Sequence, residues 1–302
     1  RLDQETGKIH GQPMKATQRF EGANRSPAWS PDGKYLAYIS YRGHSRMRRT
    51  VLCILSIESG KEHEPPVKLK EYYSPHWSHD GRSILVGDGG RTIFCINAKT
   101  GEAAPIMQIK EKESIHSPLY SPDGKLLYYV HNVKTENTYI CRIMARDLKT
   151  GKDKELYRAP ADDHTIALSR EGRWLALLNR AKKRILKVIS TSGGEPHELY
   201  RFEQGKSWII SLAWTPDGRY VLFSKQRPEP DSKWELWRIH AEGGKPQKLG
   251  LAMLGFDSLS VHPDGQRIAF SSSGFKMKPH EIWVMENFLP EANTQKKSKV
   301  WQ

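Results

Sequence analysis

Apolar and polar positions along the chain alternate in a fixed order: a short apolar pair, a polar turn, a longer apolar run, a polar loop, then a second apolar run. The clearest copy is Ser26-Pro27-Ala28-Trp29-Ser30-Pro31-Asp32-Gly33-Lys34, followed by Tyr35 to Ile39. Equivalent turns centre on Asp32, Asp80, Asp123, Glu171, Asp217 and Asp264, at steps of 48, 43, 48, 46 and 47 residues. A period in the forties marks supersecondary units that stack to share a core.

Each unit predicts a hairpin. A first strand (Ala28-Trp29 and its equivalents) leads into an Asp-Gly turn, preceded by Pro in four copies, and then into a second strand of four to six apolar residues. Pro fixes φ, and Gly is free to take φ > 0, as a short antiparallel connection requires. Second strands such as Tyr35 to Ile39 and Leu126 to Val130 are almost continuously apolar, so both faces are expected to be covered. A third strand follows a polar loop, as in Val51 to Ile57 and Glu281 to Met285, and a Gly turn leads to a ragged fourth. Four antiparallel strands in each of six units predict an all-β chain, a six-bladed β-propeller. The last unit ends at its third strand, whereas Leu2 to Gly7 reads as the end of a third strand plus its turn, and Lys8 to Thr17 as a fourth strand. The N-terminal segment 8–17 is therefore expected to complete the last blade, removing an exposed edge. The propeller would occupy 1–288, with 289–302 as a basic tail.

The tandem Ser-Pro-x-Trp-Ser-Pro-Asp-Gly-Lys/Arg pattern resembles the WD-like repeats of TolB-type β-propellers. Similar repeats occur in tricorn-like proteases and in the propellers of prolyl-oligopeptidase-type enzymes. The resemblance covers roughly residues 8 to 288. It implies the fold and leaves function open, because the repeated residues are turn and packing residues. Nothing in the chain corresponds to the α/β domain that precedes the TolB propeller. The resemblance implies a periplasmic or extracellular setting.

Composition adds charge. The 302 residues carry 48 Lys and Arg against 34 Asp and Glu, a formal net charge of +14. A balance so basic favours an anionic partner. The excess is uneven. Loops between second and third strands hold fifteen Lys and Arg against four carboxylates, with Arg46, Arg48, Arg49, Lys182, Lys183 and Arg184 the densest groups. In a propeller these loops share one face with the loops entering each first strand, where the charges nearly cancel. Aromatics are not interleaved with the loop cations as base stacking requires, which argues against nucleic acid. No apolar run is long enough for a membrane span, and no signal core is present. Arg1 is not an initiator, so the chain reads as a mature form or as part of a larger multidomain protein, expected to be monomeric.

The residue before each Ser-Pro, or its equivalent, forms a second set: Arg25, Tyr73, His116, His164, Ile210 and Asp257, with Asp163 beside His164. These are expected to ring the channel mouth and orient a ligand, or, with His116, His164 and Asp257, to hold a metal. A hydrated channel rim is the plainer reading. Trp29, Trp77, Tyr120 and Trp214 recur at one register and read as inter-blade packing. His76 and His79 are expected to face opposite sides. Cys53, Cys95 and Cys141 read as buried thiols at one register of the first three blades.

Hydrolase motifs are missing. Gly43-His44-Ser45-Arg46-Met47 fails the nucleophile elbow at its last position, and none of His63, His197 and His280, each followed by Glu, has the second His of a zinc-protease helix. Gly205-Lys206-Ser207 has Tyr200 where a phosphate loop needs Gly. The expectation is a non-catalytic binding propeller that recognises an acidic peptide, protein segment or glycan and requires no cofactor or metal. The alternative is a metal-dependent lyase or hydrolase of acidic oligosaccharides, because oligogalacturonate lyases resemble such propellers and use a His-rich metal centre.

Overall fold

The computed structural model of the chain describes residues 13–17, 23–43, 49–136, 138–160, 164–179, 184–202, 208–226, 232–272 and 281–286. It is a β-propeller of six four-stranded antiparallel sheets. The inner strands are Ala23–Trp29, Tyr73–Trp77, Glu113–Tyr120, His164–Leu168, Trp208–Trp214 and Phe256–Val261. Each touches the next around the channel, and the sixth returns to the first.

The second strands explain why the apolar runs are unbroken. Leu36 and Tyr38 pack into the core shared with blade 6, whereas Ala37 and Ile39 pack into the core shared with blade 2. Tyr128 and Val130 face blade 4, while Leu127 and Tyr129 face blade 2. Alternation along a strand thus feeds two cores at once, and an apolar residue is needed at every position. Six such cores lie between successive blades among the described residues.

The Asp-Gly turn is a repeated hydrogen-bonding device. The Ser30 hydroxyl donates to Asp32 Oδ1 at 2.6 Å and accepts the Tyr35 N–H at 2.9 Å, while Lys34 N–H donates to the same Asp32 oxygen at 3.0 Å. Ser78 with Asp80, Ser121 with Asp123 and Thr215 with Asp217 repeat it. The turn glycines have φ between 68 and 75°. The Ser78 and Ser121 hydroxyls, with the following backbone N–H groups, hold Asp80 and Asp123 below the usual carboxylate range. At Asp32 and Asp217 burial pulls upward, and the hydrogen bonds outweigh it.

Closure follows the expected route. Met14–Lys15 pairs antiparallel with Glu281–Glu286, Met14 opposite Val284, as the fourth strand of the last blade. One carboxylate clasps this junction: Glu281, 8% exposed, accepts hydrogen bonds from the Thr17 hydroxyl and Asn24 Nδ2, both at 2.7 Å, with Lys15 Nζ 3.5 Å away.

The expected common register of the cysteines is not observed. Cys53 lies opposite Tyr38, Cys95 opposite Leu85 and Cys141 opposite Asn132, which are five, four and eight residues beyond their turn glycines. Cys53 therefore faces the blade 6 core, while Cys95 Sγ accepts a hydrogen bond from Tyr120 of blade 3. All three are free thiols, and burial pushes Cys53 up to about 12.

Candidate functional site at the channel

The described mouth residues Arg25, Tyr73, His116, His164 and Asp257 lie within the inner strands, which extend further than two residues. In blades 1, 2, 3 and 6 the strand bulges just below them: pairing jumps from Arg25 to Ala28, Tyr73 to His76, His116 to Leu119 and Asp257 to Ser260. The first bulged residue is a serine in the left-handed region each time, with φ of 56, 53, 54 and 55° at Ser26, Ser74, Ser117 and Ser258. Such a conformation is uncommon outside Gly and costs of order 1 kcal/mol or more. Arg25, Tyr73, His116 and Asp257 consequently share one register, each opposite the sixth residue beyond its turn glycine: Ile39, Gly87, Val130 and Ser271.

His164 departs from this ring. Blade 4 has no bulge, so His164 pairs with Asn179 and Thr165 takes the shared register opposite Leu178. Displaced by one residue, the imidazole turns into the wall: His164 is 4% exposed and packs edge-on to Tyr157. The sequence carries the signal, because Thr165 stands where the bulged blades have Ser, and a branched side chain resists φ > 0.

The remaining groups have defined partners. The Asn132 amide donates to His116 Nε2 at 3.1 Å, leaving Nδ1–H to face the Ser117 hydroxyl at 3.2 Å. With its free proton on the serine side, this imidazole cannot take a proton from Ser117. Asp257 accepts a hydrogen bond from the Ser271 hydroxyl, and Tyr73 donates to Glu71 at 2.9 Å. Arg25 differs, since its Nε is buried without an acceptor among the described residues. Ligand atoms of His116, His164 and Asp257 do not converge. Among the described residues the close group is instead Cys53, Glu62 and Glu64, and there Arg42 already bonds Glu64 in bidentate fashion at 2.8 and 2.9 Å and touches Cys53 Sγ at 3.3 Å.

Of the basic loops, Arg49 is exposed at the start of its strand, and Arg184 is half-buried, burial alone pulling its guanidinium below the usual range. Arg46, Arg48, Lys182, Lys183 and Asp163 lie outside the described residues. One of the four opposing carboxylates, Asp88, is committed to its own loop, accepting from Gly90, Arg91 and Thr92 at 2.8 to 3.0 Å.

The packing role of the aromatic series holds: Trp77 Nε1 donates to Ala28 O, and Trp214 Nε1 to Ala167 O, each across a blade boundary at 2.9 Å. His76 and His79 do not face opposite sides. Both line a cavity at the Asp-Gly-turn end of the channel, because the chain reverses after Trp77 and strand alternation stops there.

No family model matches the chain. The chain is 28% identical over 185 residues to the uncharacterized peptidase YuxL of Bacillus subtilis, covering 60% of the chain and 24% of that protein. It is 22% identical over 291 residues to dipeptidyl-peptidase 5 of Porphyromonas gingivalis, covering 90% and 40%. The chain therefore spans between a quarter and two fifths of the length of these relatives. Among solved structures, a putative TolB from Agrobacterium tumefaciens superposes with a TM-score of 0.62 at 17% identity, covering 89% of this chain and 91% of the other. An oligogalacturonate lyase in complex with manganese gives 0.65 at 15%, covering 95% and 80%. The fold is thus that of the TolB-like six-bladed propellers.

Proposed function

We propose that the protein is a recognition propeller, in which the loop-bearing face and channel mouth bind an acidic peptide, protein segment or glycan outside the cytoplasm. The buried Arg25 Nε carries this reading. A guanidinium N–H buried beside an inner strand without an acceptor among the described residues costs free energy that an anionic group reaching it would recover. Arg49 and Arg184 add positive charge on the same face.

The lyase alternative is not favoured. A metal there would need His116, whose ring nitrogens face Ser117 and Asn132, and His164, which is turned into the wall. Nor does the His116–Ser117 contact supply the base that a serine nucleophile requires.

Calorimetric titration with a Glu-rich peptide and with polygalacturonate, at low and high salt, tests the reading. Arg25→Gln is expected to weaken whichever probe binds by about tenfold. Replacing Arg46, Arg48 and Arg49 together by Ala should weaken binding mainly at low salt. Affinity unchanged in both variants would sink the proposal.

A further inference from the structure

The other end of the channel holds a cavity of about 560 Å³ that the mouth reading does not use. Its rim is the residue after the turn Ser, Thr or His of each blade: Pro31, His79, Pro122, Arg170, Pro216 and Pro263. Deeper walls are aliphatic and aromatic, including Leu119, Ile166, Leu212 and the indoles of Trp29, Trp77 and Trp214. Neither Asp nor Glu lines it. Volume and lining match those of a small-ligand site, apolar with a few convergent polar groups.

Those polar groups are donors. Arg170 is exposed and takes the place of the prolines found in four other turns; its Nη1 donates to the carbonyl of Pro263, two blades on, at 2.5 Å. No carboxylate meets this guanidinium among the described residues, so most of its five N–H groups are available to a ligand. His76 accepts the Tyr120 N–H at Nδ1, 3.4 Å away, which leaves Nε2–H as a donor in the cavity wall. Burial pushes this imidazole down to about 4, so it stays neutral near pH 7. Trp29 has a buried Nε1–H without an acceptor among the described residues, although Trp77 and Trp214 each bond the preceding blade. The hydroxyls of Ser30, Ser121 and Thr215 are already engaged within their turns.

We infer that this cavity binds an apolar carboxylate, with the aliphatic body among the Leu, Ile and Trp side chains and the carboxylate on Arg170 at the rim. A hydrophobic peptide ending in a free α-carboxylate and a short aliphatic acid share this chemistry. The site lies at the opposite end of the channel from Arg25 and stands independently of the mouth.

Trp29, Trp77 and Trp214 supply the readout. Tryptophan fluorescence of the full chain is followed during titration with acetyl-trileucine, with its C-terminal amide, and with octanoate. A saturable change with at least one acid is expected, and the peptide acid, if it binds, should bind at least tenfold more tightly than its amide. Arg170→Gln should weaken acid binding about tenfold and leave amide binding unchanged, whereas Lys61→Ala, at an exposed position beside an outer strand, should change neither. Binding of the peptide acid alone assigns a chain end, of octanoate alone a free acid, and of both a site that reads only carboxylate and apolar body. The inference is overturned if neither acid binds saturably, if peptide acid and amide bind equally, or if Arg170→Gln leaves acid affinity unchanged.

Discussion

At Gly33 a Cβ would stand 2.2 Å from Nε2 of His262, and the backbone has φ of 72°. The ring that fills this space belongs to the seam between the last blade and the first: His262 donates Nε2–H to Gly33 O at 3.0 Å and meets Trp29 edge-on at 4.7 Å. Gly60 has a similar φ of 65° with nothing within 4 Å. Gly60→Ala should therefore cost about 1 kcal/mol of unfolding free energy, from backbone strain alone. Gly33→Ala should cost about 3 kcal/mol, because a buried imidazole must also move. Urea titration of the two variants makes the comparison, and equal losses would remove the seam from the explanation. The glycine was legible in the sequence as a turn residue. His262 was not, since it stands where the other turns have Ser or Thr and its partner is 229 residues away.

Among elements, the short N-terminal strand Met14–Lys15 is held by two paired positions on the last blade and by the contacts of Glu281. Three groups from two segments, Lys15, Thr17 and Asn24, meet at one carboxylate, and removing it leaves the Thr17 hydroxyl and Asn24 amide without that acceptor. Glu281→Ala is expected to lower stability by about 3 kcal/mol, and Glu281→Gln by less, since an amide oxygen still accepts. A shifted denaturation midpoint at constant slope is the expected observation; an unshifted midpoint would mean that the clasp contributes nothing. Pairing of this strand with the last blade could be read from the missing fourth strand, and the second strands from their unbroken apolar runs. The inner strands are longer than their apolar pairs. Their bulges depend on a serine in the left-handed region, a conformation that apolar periodicity does not record, and so the repeat alone places His164 in a ring that its blade does not complete.

For the molecule as a whole, titration separates two windows of acid sensitivity. His76 falls from 6.5 to about 4 on folding because it is buried, so between those values the unfolded chain takes up a proton that the folded chain refuses. Stability must then decrease as pH falls from 6.5 towards 4. The turn aspartates, including Asp32, Asp80, Asp123, Asp217 and Asp264, are held below 3.8 in the folded state. Their contribution is complete above 3.8 and is lost as pH drops through the lowered values. Denaturation midpoints measured across pH should show both declines, and His76→Phe should flatten only the upper one. A decline between 6.5 and 4 that survives this substitution would place its origin elsewhere. The turns repeat in the sequence, so the lower window was legible there. The upper one arises from a histidine whose place in the inner strand, opposite Leu85, puts it in the cavity wall, where burial keeps it neutral.

Pairing Met14 with Val284 also has a consequence in time. A ribosome releases the opening strand some 270 residues before the edge it must cover exists. Until then five blades can assemble on their neighbours, while the sixth is unwritten and the first lacks one flank. Loop closure over such a separation is slow compared with hairpin formation, so annealing of the ring is expected to be the late step of folding. The interval before it is when an uncovered strand edge is open to pairing with another copy of the chain.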